Sequence, residues 1–330
     1  MKAVYFDRYG PPDVLDVRDI PNPDPQEGEV LLRTRAATIA KADCELRGFV
    51  FPRWLWLPVR AMFGVFRPRI HILGQEVAGD IEAVGAGVEG FEPGERVFAA
   101  IEGFGAHAEY VCLKADSAIA KIPEGVSYEE AAATTVFALN ALHFIKKAAL
   151  ARGQSILVNG AGGSIGTVAV QLAKLEGATV AAVDSADKLD MLRAIGADRV
   201  VDYTSEEVAP AGAGYDVILD IAGTIPFSRA MAALQDNGRL VLANPMLAPM
   251  LAGLWSNITG GAKKTFFEFA AYRREDLETL GALLASKKLK AVIDCRFALS
   301  EAADAHRYIE TGRKKGHAVF ILDEAKPQRT

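Results

Sequence analysis

One stretch, residues 155–184 (SILVNGAGGSIGTVAVQLAKLEGATVAAVD), limits the fold more than any other part of the 330-residue chain. The apolar run Ile156, Leu157 and Val158 stops at Gly160, Ala161, Gly162 and Gly163, and an amphipathic segment starts at Ile165 and continues to Leu175. A second apolar run, Val180 to Val183, ends on Asp184. Strand, tight turn, helix and strand in this order make a complete βαβ unit. Glycines let the backbone come close to a pyrophosphate, and the N–H groups and dipole of the helix start attract that anion. The fingerprint is imperfect, because the usual G-x-G-x-x-G is written here as Ala161-x-Gly163-x-x-Gly166. The acid at the second strand tip, Asp184, is placed to accept from a ribose hydroxyl. The turn and helix start, Gly160 to Gly166 with Ser164 and Ile165, are therefore candidate cofactor contacts, and so are Asp184 and Ser185.

Downstream, apolar strand signals alternate with helical ones. Lys188 to Ile195 reads as a helix, Arg199 to Val201 and Val217 to Asp220 as strands, Pro226 to Leu234 as a helix, and Arg239 to Leu242 as a fifth strand. Such alternation implies a parallel sheet covered on both faces, whose ligands bind at the carboxyl ends of the strands. That places Ala222 and Asn244 among the candidate cofactor contacts. Upstream, Val30 to Arg35, Val77 to Val84 and Arg96 to Ala100 have strand patterning broken by Pro and Gly turns, which predicts a mostly-β domain. Ser127 with Glu130 forms a capping box that opens the helical region leading to the βαβ unit. After residue 262 the chain gives a β-like run, Thr265 to Ala270, helices at Asp276 to Ala285 and Leu299 to Thr311, and strands at Ala291 to Asp294 and Ala318 to Leu322. This tail is read as returning to complete the first domain, with the last residues, EAKPQRT, frayed. The expected division is 1–123 with 263–330, and 124–262.

Composition excludes several classes. A net charge of −5 gives no basic field for nucleic acid. Three scattered cysteines, Cys44, Cys112 and Cys295, form no disulfide framework or metal cluster and fit a reducing compartment. The opening MKAVYFDRYG has no apolar leader pattern, and no uncharged apolar run reaches membrane-spanning length. A cytoplasmic protein is the expectation.

The order of domains, together with ILGQEVAGDIEAVGAGVEGFEPGERVF, GAHAEYV, IGADRVVDYT, YDVILDIAG and KKGHAVFIL, resembles the medium-chain dehydrogenase/reductase superfamily over nearly the whole length. The chain is most similar to the zinc-independent quinone oxidoreductase-like branch. The resemblance implies an α/β fold: a Rossmann doubly wound parallel sheet plus a β-rich GroES-like catalytic domain. In zinc-dependent members a Cys, the His of a G-H-E motif and a further Cys or acid hold the metal. Here Ala40 and Gln75 stand at the first two positions, and three cysteines cannot supply the four of the family's structural zinc lobe. No zinc is expected, and Glu76 reads as structural. Without a Lewis acid, alcohol oxidation is difficult, whereas a polarised C=C or a quinone accepts hydride once placed over the nicotinamide. The resemblance thus implies an NAD(P)H-dependent reductase of a small lipophilic electrophile.

Asp43 matches an acidic position of the family's N-x-x-D stretch; it lines the active site, or it bonds backbone or Arg47. Asn140 stands where this branch commonly has Thr facing the nicotinamide, and Asp43 and Asn140 are the catalytic candidates. His107 and His143 are read as packed side chains, and Cys44 as a buried small residue. Lys188 and Tyr203 match positions that resemble the family's NADP-binding pair, while Asp184 favours NAD; the balance leans slightly to NADPH over NADH.

Residues 49–72 (FVFPRWLWLPVRAMFGVFRPRIHI) form an apolar insertion in which Arg53, Arg60 and Arg67 recur every seven residues. On a helix they share one face, opposite Leu55, Val59, Met62 and Phe66. A lid over a lipophilic substrate, a decorated helix or subunit contact, and a membrane-surface segment all remain open, although Pro52, Pro58 and Pro68 limit any continuous helix. A second apolar patch runs from Pro245 to Gly261, and TFFEFA resembles the family's dimer-forming strand, so a homodimer is expected. Two other readings stand beside the reductase. One is a cofactor-binding or membrane-associated interaction protein with little turnover. The other is an enoyl-thioester reductase, for which the TIAKADCELRG stretch lacks the tyrosine of that branch.

Overall fold

The structure, a computed structural model, describes residues 1–244, 247–258 and 261–322. The chain divides into two compact units, Met1–Val136 with Tyr272–Ala285 and Ile293–Thr330, and Phe137–Ala271 with Ser286–Val292.

The first unit begins with an antiparallel pair, β1 (Lys2–Tyr5) and β2 (Asp16–Asp19). The long β3 (Glu29–Ile39) follows, then helices α1 (Lys41–Gly48) and α2 (Arg53–Phe63), strands β4 (Glu76–Val84), β5 (Arg96–Ala100), β6 (Tyr110–Lys114) and β7 (Ile119–Lys121), and the short α3 (Tyr128–Ala132). Ser127 and Glu130 form the capping box expected at α3, each satisfying a backbone N–H of the other end of the turn. Valines, isoleucines and leucines of β3, β4, β5 and β6 face one core that includes Val30, Leu32, Val77, Ile81, Val97 and Val111.

In the second unit, α4 (Val136–Ala148) leads to β8 (Ser155–Asn159), α5 (Ser164–Leu175), β9 (Thr179–Asp184), α6 (Leu189–Ala194), β10 (Arg199–Asp202), β11 (Tyr215–Asp220), α7 (Phe227–Ala233), β12 (Leu234–Leu242), α8 (Leu247–Ile258) and β13 (Lys264–Phe266). The six strands pair in the order β10-β9-β8-β11-β12-β13, all parallel. In chain order this is 3-2-1-4-5-6, with the reversal between β8 and β11, the crevice where doubly wound sheets take their ligands. Buried side chains on consecutive positions of β8, β9 and β11 agree with a sheet covered on both faces.

The chain then returns through α9 (Arg274–Ala285), β14 (Ile293–Ala298), α10 (Ala302–Glu310) and β15 (His317–Ile321). β15 pairs antiparallel with β3 and parallel with β14, so the tail does complete the first unit's sheet, ordered β14-β15-β3-β4-β5-β7 with β6 also on β3. Two expectations need correction. Lys264–Phe266 pairs with β12 and extends the parallel sheet, so a boundary at 263 falls too early. The fifth strand starts at Leu234 and not at Arg239, because a register shift between the Tyr215 and Val217 pairings absorbs Gln235 to Gly238. EAKPQRT and Pro245, Met246, Thr259 and Gly260 of the second apolar patch lie outside the described residues.

The insertion also differs from its heptad reading. α2 runs through Pro58 but ends at Phe63, so Arg67 lies beyond it. Arg60 turns inward: its guanidinium carbon stands 4.2 Å from the Tyr9 ring centre, 4.4 Å from Phe49 and 5.6 Å from Trp56. Cation–π attraction and the Tyr9 hydroxyl, which donates to the Phe63 carbonyl at 2.8 Å, fasten this helix by its polar atoms. Of the four apolar residues expected to share one face, Leu55 and Val59 are half-buried whereas Met62 and Phe66 are exposed.

Behind α1, the Cys44 thiol lies 3.3 Å from Nδ1 of the fully buried His306. Burial, then the neighbouring His107 and Arg47, hold the His306 imidazole well below its ordinary 6.5. Burial, then Asp43, pushes the Cys44 thiol up to about 12. Both are neutral in the folded state, whereas the unfolded chain protonates this histidine below pH 6.5. The sign follows: the contribution of His306 to stability is complete above pH 6.5 and is lost as pH falls below it. Urea unfolding at stepped pH should show wild type losing up to about 1.4 kcal/mol per pH unit relative to His306→Gln on the acid side.

Candidate cofactor site

The glycine-turn candidates, Asp184 and Ser185 lie at the carboxyl ends of β8 and β9, and Tyr203 and Ala222 line the same cavity as Gly160 and Asp184. Gly160 follows β8 with φ +81°, and a Cβ there would lie 3.2 Å from the Ala222 backbone nitrogen. Gly166, in the first turn of α5, has no room at all: its Cβ would stand 2.3 Å from the Gly160 carbonyl oxygen and 2.5 Å from the Ala161 Cα. Helix and strand can approach this closely only with glycine there. The N-cap of α5 is Gly163, which offers no side chain to bond the first-turn N–H groups. Gly163 is otherwise unconstrained, since the nearest atom to its Cβ position is 3.7 Å away. The helix start thus combines a close backbone approach with an N-terminus that no side chain caps, the fit that a dinucleotide pyrophosphate needs. Gly163→Ser would insert a capping hydroxyl that competes with the phosphate. We expect thermal stability unchanged or higher by up to about 1 kcal/mol with NADPH binding weakened about tenfold, read by calorimetric titration.

Asp184 and Lys188 are locked together. Asp184 Oδ1 lies 3.0 Å from Lys188 Nζ and accepts the Ser185 N–H at 2.9 Å, while Oδ2 accepts the Gly162 N–H at 2.8 Å. The Ser185 hydroxyl adds a longer contact to Oδ1 at 3.3 Å and donates to Asp187 at 2.6 Å. Both side chains of the pair are about nine-tenths buried. The lysine stem packs on the glycine turn, and a Cβ at Gly162 would meet Lys188 Cδ at 2.5 Å. Asp184 is therefore committed to loop backbone and lysine, with its charge balanced by Lys188. Tyr203 donates its backbone N–H to the Asp184 carbonyl at 3.3 Å and leaves its ring exposed.

A cavity of about 490 Å³ opens here, lined among others by Asn159, Gly160, Asp184, Tyr203, Ala222 and Arg229. Its size is typical of a small-molecule pocket. On its β11 side, Asn159 Nδ2 donates to Asp220 Oδ1 at 2.7 Å and to Thr224 Oγ1 at 3.0 Å, and Asp220 also accepts from the Gly223 and Ile225 N–H groups. Burial pushes the Asp220 carboxyl above its ordinary value, against those hydrogen bonds. This cluster shapes the turn that carries Ala222, yet sequence reading left Asn159 and Thr224 out. The available signal was a polar residue ending an apolar strand. Asn244 is exposed, with its carbonyl 3.1 Å from the Gly223 Cβ position.

Asn140 is half-buried on α4 in the second unit, whereas Asp43 belongs to the first. Asp43 is buried and accepts the Ala40 N–H at 2.8 Å and the Gly74 N–H at 3.0 Å, which caps α1 and ties it to the loop before β4. Arg47 pairs with Glu310. His107 is packed, its Nε2 2.8 Å from the Thr38 carbonyl oxygen and its ring edge-on to Phe320. Glu76 accepts from the hydroxyls of Thr38 and Thr135. At the zinc positions, Ala40 has no donor atom and the Gln75 amide lies 3.4 Å from the Ile101 carbonyl. These residues do not fit a catalytic zinc.

A 3-2-1-4-5-6 parallel sheet with this glycine turn in one unit, and a β-rich sheet completed by the returning tail in the other, define the class of two-domain dinucleotide-dependent oxidoreductases. Residues 26–124 match the alcohol dehydrogenase GroES-like domain, and 195–320 match the family described as zinc-binding dehydrogenase. A spinach protein named chloroplastic quinone-oxidoreductase homolog is 32% identical over 97% of this chain and 98% of its own length. A chloroplastic NADPH-dependent alkenal/one oxidoreductase of Arabidopsis thaliana is 31% identical over 97% of this chain and 79% of its own. The solved structure of a Coxiella burnetii quinone oxidoreductase superposes with a TM-score of 0.85 at 26% identity, covering 98% of this chain and 99% of the other. The chain belongs to the medium-chain dehydrogenase/reductase superfamily, in its quinone oxidoreductase-like branch.

Proposed function

We propose that this protein is a zinc-independent NAD(P)H-dependent reductase of lipophilic quinones and α,β-unsaturated carbonyls. The observation that carries the reading is the glycine turn, closed on Ala222 and left uncapped at α5, in a chain whose relatives are named quinone and alkenal/one oxidoreductases. Those names favour neither a cofactor binder with little turnover nor an enoyl-thioester reductase. Bound NAD(P)H supplies a hydride, and a proton completes the reduction, giving a hydroquinone from a quinone or a saturated carbonyl from an enone. Gly160 to Gly166 hold the pyrophosphate, while Ala222 and Asn244 border the crevice. Asp184, Ser185, Lys188 and Tyr203 receive the adenosine ribose. Asn140 takes the polar contact of the nicotinamide end, and Asp43 acts as a positioning residue through the backbone of Ala40 and Gly74.

A preference for NADPH is supported by the balanced charge of Asp184 and by the NADPH-dependent relative. Zinc independence rests on Ala40 and Gln75, and the homodimer on the edge strand β13. A cytoplasmic location rests on the cysteine usage; among the described residues no helix is long and apolar enough to cross a membrane. The test is a titration of NADH against NADPH, followed by an acceptor screen with 1,4-benzoquinone and 2-alkenals before and after chelator treatment. Acceptor-dependent oxidation that survives chelation is expected. Inactivation by chelator with recovery on adding zinc would overturn the zinc-free reading.

A further inference from the structure

α2 and the turn after it carry the densest group of exposed large apolar side chains in the first unit: Trp54, Trp56, Leu57, Met62, Val65 and Phe66. Phe66 is 92% exposed, Leu57 71% and Met62 65%, and no residue of the helix is buried. Arg53, Arg67 and Arg69 are exposed in the same segment, and no Asp or Glu occurs between Glu45 and Glu76. The whole chain is acidic, at −5, whereas this segment carries arginines and no acid. Arg60 and Tyr9 already hold the helix to its own unit by the inner side, which leaves the apolar side outward.

We propose that residues 50–69 are a docking surface for an anionic lipid bilayer. Tryptophan, phenylalanine and leucine suit the boundary between headgroup and acyl chains, and arginines beside them meet anionic headgroups. Charge selects this occupant over a second copy of the chain. A twofold contact through this face would set Arg53, Arg67 and Arg69 against the same arginines, with no acid of the segment to match them. Pro58 does not prevent the geometry, because the helix forms around it and lies along a surface without needing to span one. α8 in the second unit also exposes Leu251, Leu254, Trp255 and Ile258 but has no charged residue, and it serves as an internal control.

The readout needs no turnover and so stands apart from the reductase reading. The chain carrying Trp255→Phe keeps Trp54 and Trp56 as its only tryptophans, excited selectively over the tyrosines at long wavelength. It is mixed with vesicles of phosphatidylcholine alone or with phosphatidylglycerol, at low and high salt. Expected are co-sedimentation and a blue-shifted tryptophan emission, quenched by brominated acyl chains, with the anionic vesicles at low salt. Arg53→Glu with Arg67→Glu should lower partitioning at least tenfold, and Leu57→Gln with Phe66→Gln should abolish the shift. Unchanged unfolding midpoints would verify that both double variants fold. Equal binding to neutral vesicles, binding indifferent to both double variants, absence of binding at low salt, or a spectral shift that instead follows self-association would each overturn the proposal.

Discussion

Gly166→Ala is expected to abolish measurable cofactor binding and to destabilise the second unit by about 2–3 kcal/mol, the upper range for forcing an atom into a packed site. The added carbon would meet backbone on two sides, the Gly160 oxygen and the Ala161 Cα, and neither can swing away as a flexible side chain would. Relief requires α5 to move off β8, and that movement carries the turn at Gly160 to Gly163 with it. Calorimetric titration with NADPH, beside urea unfolding, separates the two effects. At Gly163 the same addition meets only ordinary contacts, so the contrast between the two positions shows whether the close approach of helix to strand matters more than glycine content.

The Asp184–Lys188 pair gives the second large effect. Lys188→Ala leaves a buried carboxylate with two backbone N–H groups and the Ser185 hydroxyl as partners, and removes the charge that balances it. We expect a stability loss of about 2–4 kcal/mol, near the range for breaking a buried ion pair, and a fall in NADPH affinity of about a hundredfold or more. NADH affinity should change only a few-fold. Asp184→Asn can keep only one of the Gly162 and Ser185 hydrogen bonds, because its single amide oxygen replaces two carboxylate oxygens, and it releases the lysine charge. It should raise the NADPH-over-NADH ratio about tenfold. Equilibrium dissociation constants for both nucleotides with all three proteins decide the matter, and an unchanged ratio in both variants would remove Asp184 and Lys188 from the selector.

The sequence made the cofactor unit readable because local chemistry and global topology agree there. Apolar strands, the glycine turn and a terminal acid appear in one order that fits one fold, and the observed β8-α5-β9 unit begins and ends within a residue or two of that reading. The side-chain traffic inside the unit was less readable. Nothing in the spacing of Asp184 and Lys188 tells that the carboxylate turns onto the Gly162 N–H; that depends on the path of the turn after β9. Asn159 and Thr224 meet only because β8 and β11 are neighbours in the sheet although about 60 residues apart in the chain. β13 failed for another reason. Its short apolar run fits an edge strand of either sheet, and only the pairing with β12 assigns it. In the insertion, a seven-residue period of arginines assumed one continuous helix, but the helix stops at Phe63 and tertiary contact with Tyr9 and Phe49 draws Arg60 inward.

Transfer of a labelled hydride tests the central claim most directly. NADPH carrying deuterium on the transferring face of C4, supplied with a 2-alkenal and chelator-treated protein, should yield saturated aldehyde with deuterium at the β-carbon, at a rate unaffected by chelation. Aldehyde without that label, no acceptor-dependent oxidation of NADPH, or a reaction that appears only when zinc is added back would contradict a zinc-independent hydride-transferring reductase.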